Sequence, residues 1–177
     1  ICNRKIALEK TDIQDTLIKT FGESVFNFQQ DHDIFSFEID ADKNTSVILF
    51  LKNDETLRFH FLTDLCGIHF PDNDEDHQFA IVYHLHNWYE NKRIKIKAYL
   101  SDPGEIKTIS NIFSCANWME RETYDFYGIN FKGHPQLKRI LNMDEMISFP
   151  MRKEFPMEDS GRTDKDDRFF GRTTINS

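Results

Sequence analysis

Glu120 and Glu122 supply two carboxylates of the kind a general acid and base pair requires. They stand two apart in the run Asn117 to Tyr127, whose spacing is helical, so their side chains diverge instead of sharing a substrate. Arg121 and Asp125, four apart in the same run, face each other and are expected to form an ion pair. His84 and His86 fall on one face of a strand with His69 and His77 within reach, a spacing two metal ligands could use. A small metal-dependent hydrolase built on His69, His77, His84 and the acidic loop Asp72, Asp74, Asp76 is the reading from a different functional class. That loop lacks calcium-loop chemistry, because His77 stands where Gly is required and Tyr83 where a bidentate Glu is required. Gly128 to Gly133 has the glycine spacing of a phosphate loop, but His134 and Pro135 replace the Lys and Ser/Thr, and Pro has no N–H to offer a phosphate. No G-x-G-x-x-G is present, and the three isolated cysteines (Cys2, Cys66, Cys115) cannot ligate an iron–sulfur cluster. No catalytic, cofactor-binding or metal-binding residue is therefore expected in this chain.

The elements that would position these groups follow from periodicity. Thr11 to Phe21 places Ile13, Leu17 and Phe21 at helical spacing before Gly22. Ser24 to Gln29 and Ile34 to Ile39 alternate as a hairpin. Asn44 or Thr45 is placed to cap a helix through Lys52, and Leu57 to Phe70 reads as a strand in which Gly67 marks a bulge or a close approach. Phe79 to Trp88 and Arg93 to Leu100 form the clearest strand pair, with Phe79, Ile81, Tyr83 and Leu85 facing Ile94, Ile96, Ala98 and Leu100. Ile106, Ile109, Ile112 and Phe113 suggest a short helix. Ser114 could cap the next one and turn Trp118, Met119, Glu122 and Phe126 toward the sheet, with Gly128 as the stop. The expected fold is α+β: an antiparallel or mixed sheet with helices on one face (residues 1–127), then an extended C-terminal arm (residues 128–177).

Composition narrows the function. The chain has 177 residues, 39% of them hydrophobic, with 17 Phe, enough for a real core. No apolar run is long enough to span a membrane, and the opening residues lack the pattern of a secretory leader, so a cytosolic or cytosol-facing protein is expected. Residues 1–127 carry 13 Lys and Arg against 22 Asp and Glu, and residues 128–177 carry 9 against 8. An acidic body with a balanced tail repels phosphates, which excludes nucleic acid as a partner.

The arm is rich in apolar residues without a period: Met143, Met146, Ile147, Phe149, Met151, Phe155, Met157, Phe169 and Phe170. Pro150 and Pro156 exclude a helix through its middle, so it is expected to bury these side chains on another protein. Glu120, Arg121, Glu122, Asp125, Phe126, Tyr127, His134, Lys138, Ile140 and Leu141 together fill, without departure, the signature of one family. The chain thus resembles the 30 kDa, or C-type, subunit of respiratory NADH-quinone oxidoreductase, complex I. Phe149 to Pro156 is similar to that family's His-Pro-Leu-Arg-Lys-Asp-Phe-Pro, with Phe149 where His is usual.

The resemblance implies a cofactor-free subunit of the hydrophilic arm, on the cytoplasmic side of the bacterial inner membrane. It also implies an arm running along the quinone-site subunit of the 49 kDa type. Electrons would pass from NADH through FMN and iron–sulfur clusters in other subunits to quinone, coupled to ion translocation. The equivalent subunit of a membrane-bound nickel–iron hydrogenase or a related complex shares the signature. On this reading Glu120, Arg121, Glu122, Asp125, His134, Pro135, Lys138, Arg139, Arg152, Lys153, Phe155 and Pro156 form a partner interface.

Overall fold

The computed structural model describes residues 10–32 and 34–155; Cys2, Pro156, Met157, Phe169 and Phe170 lie outside them. Two long strands form the centre, Phe79–Asn87 and Lys92–Leu100. Their antiparallel register sets Ile81 opposite Ala98, Tyr83 opposite Ile96 and Leu85 opposite Ile94, so the alternation puts one apolar row of each on the same face.

Numbered in chain order, the sheet contains β1 (Val25–Asp31), β2 (Ile34–Ile39), β3 (Phe61–His69), β4 (Phe79–Asn87) and β5 (Lys92–Leu100), ordered β1-β2-β5-β4-β3. It is mixed: β2 runs parallel to β5, pairing Phe37 with Ile96, while the other neighbours are antiparallel. Helices α1 (Lys10–Phe21) and α2 (Asn44–Asn53) contribute Ile13 and Leu17, and Val47, Ile48 and Leu51, to one core with the inward-facing strand residues. Burying each such side chain contributes about 1.5–3 kcal/mol. Ala80 and Val82 point to the opposite face and are buried as well, beside their cross-strand partners Tyr99 and Lys97.

Three local expectations are corrected. Asn44 does not cap α2: it lies inside the helix, fully buried, and its amide donates to Tyr83 Oη (3.2 Å) and the Lys107 carbonyl (2.7 Å). Ile106 to Phe113 is not a helix. Glu105–Lys107 forms a short strand, β6, parallel to β7 (Asn130–Lys132), and turns follow it. Ile106, Ile109 and Phe113 are buried all the same, so the apolar spacing reported burial and the long-range pairing Ile106–Phe131 decided the backbone. Ser114 does not cap helix α3 (Ala116–Tyr127), which starts from Cys115 without a side-chain cap.

At Gly67 the close-approach reading holds. A Cβ there would meet Thr123 Cγ2 and Tyr127 Cδ2 at 2.9 Å, so Gly67 is where α3 lies down on β3; the strand irregularity falls at Leu62 and Asp64 instead.

Candidate functional site

Helix α3 turns a mixed face inward. Ala116, Glu120, Arg121, Thr123 and Asp125 are buried, whereas Trp118 and Glu122 are exposed and Met119 and Phe126 half-buried. The expectation that Trp118 and Glu122 face the sheet is thus overturned. The helix is rotated so that small Thr123 meets Gly67, and the bulky Trp118 cannot occupy that contact. Glu120 and Glu122 diverge as expected, one buried and one exposed. Gly128 ends the helix at φ +76°, its N–H donating to the Tyr124 carbonyl.

Asp125, fully buried, is the centre of the most densely bonded constellation. Its Oδ2 accepts the backbone N–H groups of Ile140 (3.0 Å), Leu141 (2.8 Å) and Asn142 (3.0 Å). Its Oδ1 accepts the Asn142 amide (3.0 Å) and Arg139 Nη1 (2.8 Å). Burial alone would raise this carboxyl's pKa, but the donors of Asn142, Leu141 and Ile140 prevail and hold it far below the ordinary carboxylate range. The Arg139 guanidinium also donates to the Met146 (2.7 Å) and Ser148 (3.1 Å) carbonyls and packs over the Phe149 ring. One carboxylate and one guanidinium thereby fold residues 139–149 into a loop against α3.

The expected ion pair of Arg121 with Asp125 is not formed. Asp125 is saturated by the 139–142 segment, and Arg121 turns to the other side, donating to the Lys138 (3.2 Å) and Arg139 (3.4 Å) carbonyls under the Trp118 ring. Both residues hold the same segment from two points. Arg152 adds a third: its Nε donates to the Tyr127 carbonyl (2.8 Å), and its guanidinium lies over Phe79 and Phe149, with Asp102 at 3.4 Å. The Lys153 N–H donates to His69 Nδ1 (2.9 Å), and the Met151 N–H to the Phe126 carbonyl. Pro135, Lys138, Lys153 and Phe155 are exposed or half-buried at the surface of the segment.

Glu120 accepts Thr108 Oγ1–H (2.5 Å) on Oε2 and the Ile109 N–H (2.7 Å) on Oε1. Burial pushes its carboxyl up to about 7. His134 Nε2 stands 3.9 Å from Oε2 and bonds the Asn117 carbonyl (3.1 Å), while the Gln136 N–H donates to His134 Nδ1 (3.1 Å).

The remaining chemistry-bearing residues do not converge. His69 stacks on Phe79 on the core face, whereas His84 is on the opposite face beside Asp64 (3.8 Å), and His77 meets the edge of Tyr99. Burial lowers the pKa of both His69 and His84. Among the described residues no three His, Cys, Asp or Glu side chains are placed to hold a metal, so the hydrolase constellation is not assembled. Gly128 to Gly133 contains β7 and is not a phosphate loop. No described helix is long and apolar enough to cross a membrane.

Sequence reasoning missed Asn142, Thr108 and the carbonyls of Met146 and Ser148. They carry no periodic signal, and the bonds to Asp125 close over 14 to 17 residues. A polar residue just after the signature, Asn142, was the only trace.

Three comparisons bear on this arrangement. A sequence model described as "Respiratory-chain NADH dehydrogenase, 30 Kd subunit" matches residues 37–161. The C 2 subunit of NADH-quinone oxidoreductase from Rhizobium meliloti (strain 1021) is 39% identical over 142 residues, covering 80% of this chain and 76% of that protein. Among solved structures, the trypsin-resistant fragment (1–134) of Nqo5 superposes with a TM-score of 0.59 at 22% identity, covering 71% of this chain and 98% of that one. A component of the membrane-bound sulfane sulfur reductase, an archaeal respiratory membrane complex, superposes at 0.70 with 20% identity, covering 83% and 85%; these two likenesses concern the fold. With a signature helix that folds its own downstream segment, a family match over most of the described residues and a relative this similar, the chain belongs to the respiratory-chain NADH dehydrogenase 30 kDa subunit family.

Proposed function

We propose that the chain acts without catalytic residues or cofactors of its own, as the subunit that braces the quinone-site (49 kDa) subunit in the peripheral arm. Family membership makes it a peripheral-arm subunit of NADH-quinone oxidoreductase, the enzyme named in its relatives. In this reading FMN and the iron–sulfur clusters sit in other subunits, the assembly lies on the cytoplasmic side of the bacterial inner membrane, and the arm expected over residues 128–177 docks by the part that follows β7, since Ile129 and Phe131 are buried in the body.

The observation that carries the reading is the outward face of the clasped segment. Leu141 is 64% exposed, Met143 73% and Ile147 96%, although the backbone beneath them is tied down by Asp125 and Arg139. Fixing a loop so that it displays apolar side chains is unfavourable unless a partner covers them. The signature therefore works at two levels. Glu120, Arg121, Asp125, Arg139 and Arg152 shape the surface from within, while Glu122, Pro135, Lys138, Lys153 and Phe155 are available to the partner.

Co-expression with the quinone-site subunit tests this. Met143→Asp/Ile147→Asp should leave the free chain folded and abolish co-purification; undiminished assembly would reject the docking surface. Co-purification with the subunits of another respiratory membrane complex would instead favour the related-complex reading, which the fold shared with the sulfur reductase component permits.

A further inference from the structure

We propose that Glu120 is a proton switch: its carboxyl exchanges a proton with solvent through the Thr108 and Ser110 hydroxyls, and its charge state sets how firmly the His134 turn is held on α3. The inference stands on three oxygens in a row, Glu120 Oε2 to Thr108 Oγ1 at 2.5 Å and Thr108 Oγ1 to Ser110 Oγ at 2.8 Å. Each hydroxyl has one proton to give, so the row can point in either of two directions. With Glu120 ionised, Ser110 donates to Thr108 and Thr108 to the carboxylate. With Glu120 neutral, the carboxyl donates to Thr108 and Thr108 to Ser110. Ser110 is only half-buried and hands the proton to water, whereas Glu120 and Thr108 are buried. The Ile109 N–H stays on Oε1 in both states.

Two titratable side chains face the carboxyl from the packed elements: Tyr83 of β4, whose phenol burial keeps neutral, and His134 of the turn after β7. Both His134 ring nitrogens are committed, Nε2–H to the Asn117 carbonyl and Nδ1 to the Gln136 N–H. An ionised Glu120 attracts the His134 Nε2–H, 3.9 Å from Oε2, and competes for it with the Asn117 carbonyl. Drawing the ring toward the carboxylate weakens the bond from the Gln136 N–H to Nδ1, which loosens the turn that leads into the clasped segment. Burial places the Glu120 titration at about 7, where both forms are populated.

The test is carboxyl NMR of the full chain labelled with ¹³C at Glu, with Glu120→Gln identifying the resonance. Amide exchange at residues 134–142 is followed over the same range, about pH 5 to 9. The expected result is a midpoint near 7 for Glu120 and a change of protection at Gln136 with the same midpoint, absent from Glu120→Gln. A midpoint near the ordinary 4.5, or an equal pH dependence in Glu120→Gln, would overturn the switch. Thr108→Val provides a second readout if Glu120→Gln does not fold: losing the hydroxyl should raise the Glu120 midpoint, and an unchanged midpoint would overturn the relay.

Discussion

The sheet and the segment 138–153 are built on opposite principles. In the sheet, Phe37, Ile81, Tyr83, Leu85 and Ile96 are held by burial of apolar area, which is non-directional and tolerates exchange of one aliphatic for another. In the segment, position comes from a few side-chain groups, Asp125, Arg121, Arg139 and Arg152, that bond a backbone with no ladder of its own. Charge-assisted bonds of this kind are directional, so a segment can be fixed while its apolar side chains face outward. The cost is fragility, because much of the geometry hangs on one carboxylate.

That contrast can be broken most severely at Asp125. Asp125→Ala leaves Arg139 and three backbone N–H groups without their acceptor, and we expect a loss of about 3–5 kcal/mol of stability. Amide exchange should quicken at 140–149 and stay slow in β4 and β5; uniform loosening would show that the two regions are one cooperative unit. The pH dependence separates the regions further. The folded pKa of Asp125 lies below its ordinary 3.8, so its contribution is present above that value and is lost as pH falls through the folded one. Glu120 has the opposite sign, its contribution being complete below 4.5 and lost as pH rises toward 7. Denaturant titrations should therefore show acid sensitivity in the wild type that is reduced in Asp125→Asn.

A smaller effect, of about 1–3 kcal/mol, is expected from Gly67→Ala, whose new methyl would stand 2.9 Å from Thr123 and Tyr127. Because this lifts α3 from the sheet, it should destabilise both regions in thermal unfolding; a change confined to the clasp would contradict the packing. Arg121→Met removes bonds to two carbonyls and should cost about 1.5 kcal/mol, with Arg121→Lys intermediate. Equal stability of the three forms would mean that Arg121 contributes little beyond its contact with Trp118. Least of all, Ile147→Ser should change the stability of the free chain by less than about 0.5 kcal/mol, since Ile147 is 96% exposed. A larger loss would mean that the loop needs that side chain for its own folding.

Much of this molecule was legible in its residues, and for identifiable reasons. The β4–β5 pair, the β1–β2 hairpin, α1 and the Gly128 stop are local features, each written in alternation, helical spacing or the need for a positive φ. The signature likewise marked α3 and its downstream segment as one constellation. Its internal pairing was misread, because four-residue spacing makes Arg121 and Asp125 neighbours only if nothing stronger competes. Five donors from residues 139–142 compete for Asp125 and win.

What the sequence determined by itself, then, was the class of fold, the strand pairs adjacent along the backbone and the family, since these depend on local period and on a run of specific residues. Tertiary structure alone decided the parallel joining of β2 to β5, the strand at Ile106, the rotation of α3 onto Gly67 and the choice of Arg139 over Arg121. Each of these is a contact between distant residues, selected by which partner satisfies a buried backbone or charge most completely, and no pattern within one segment encodes that competition.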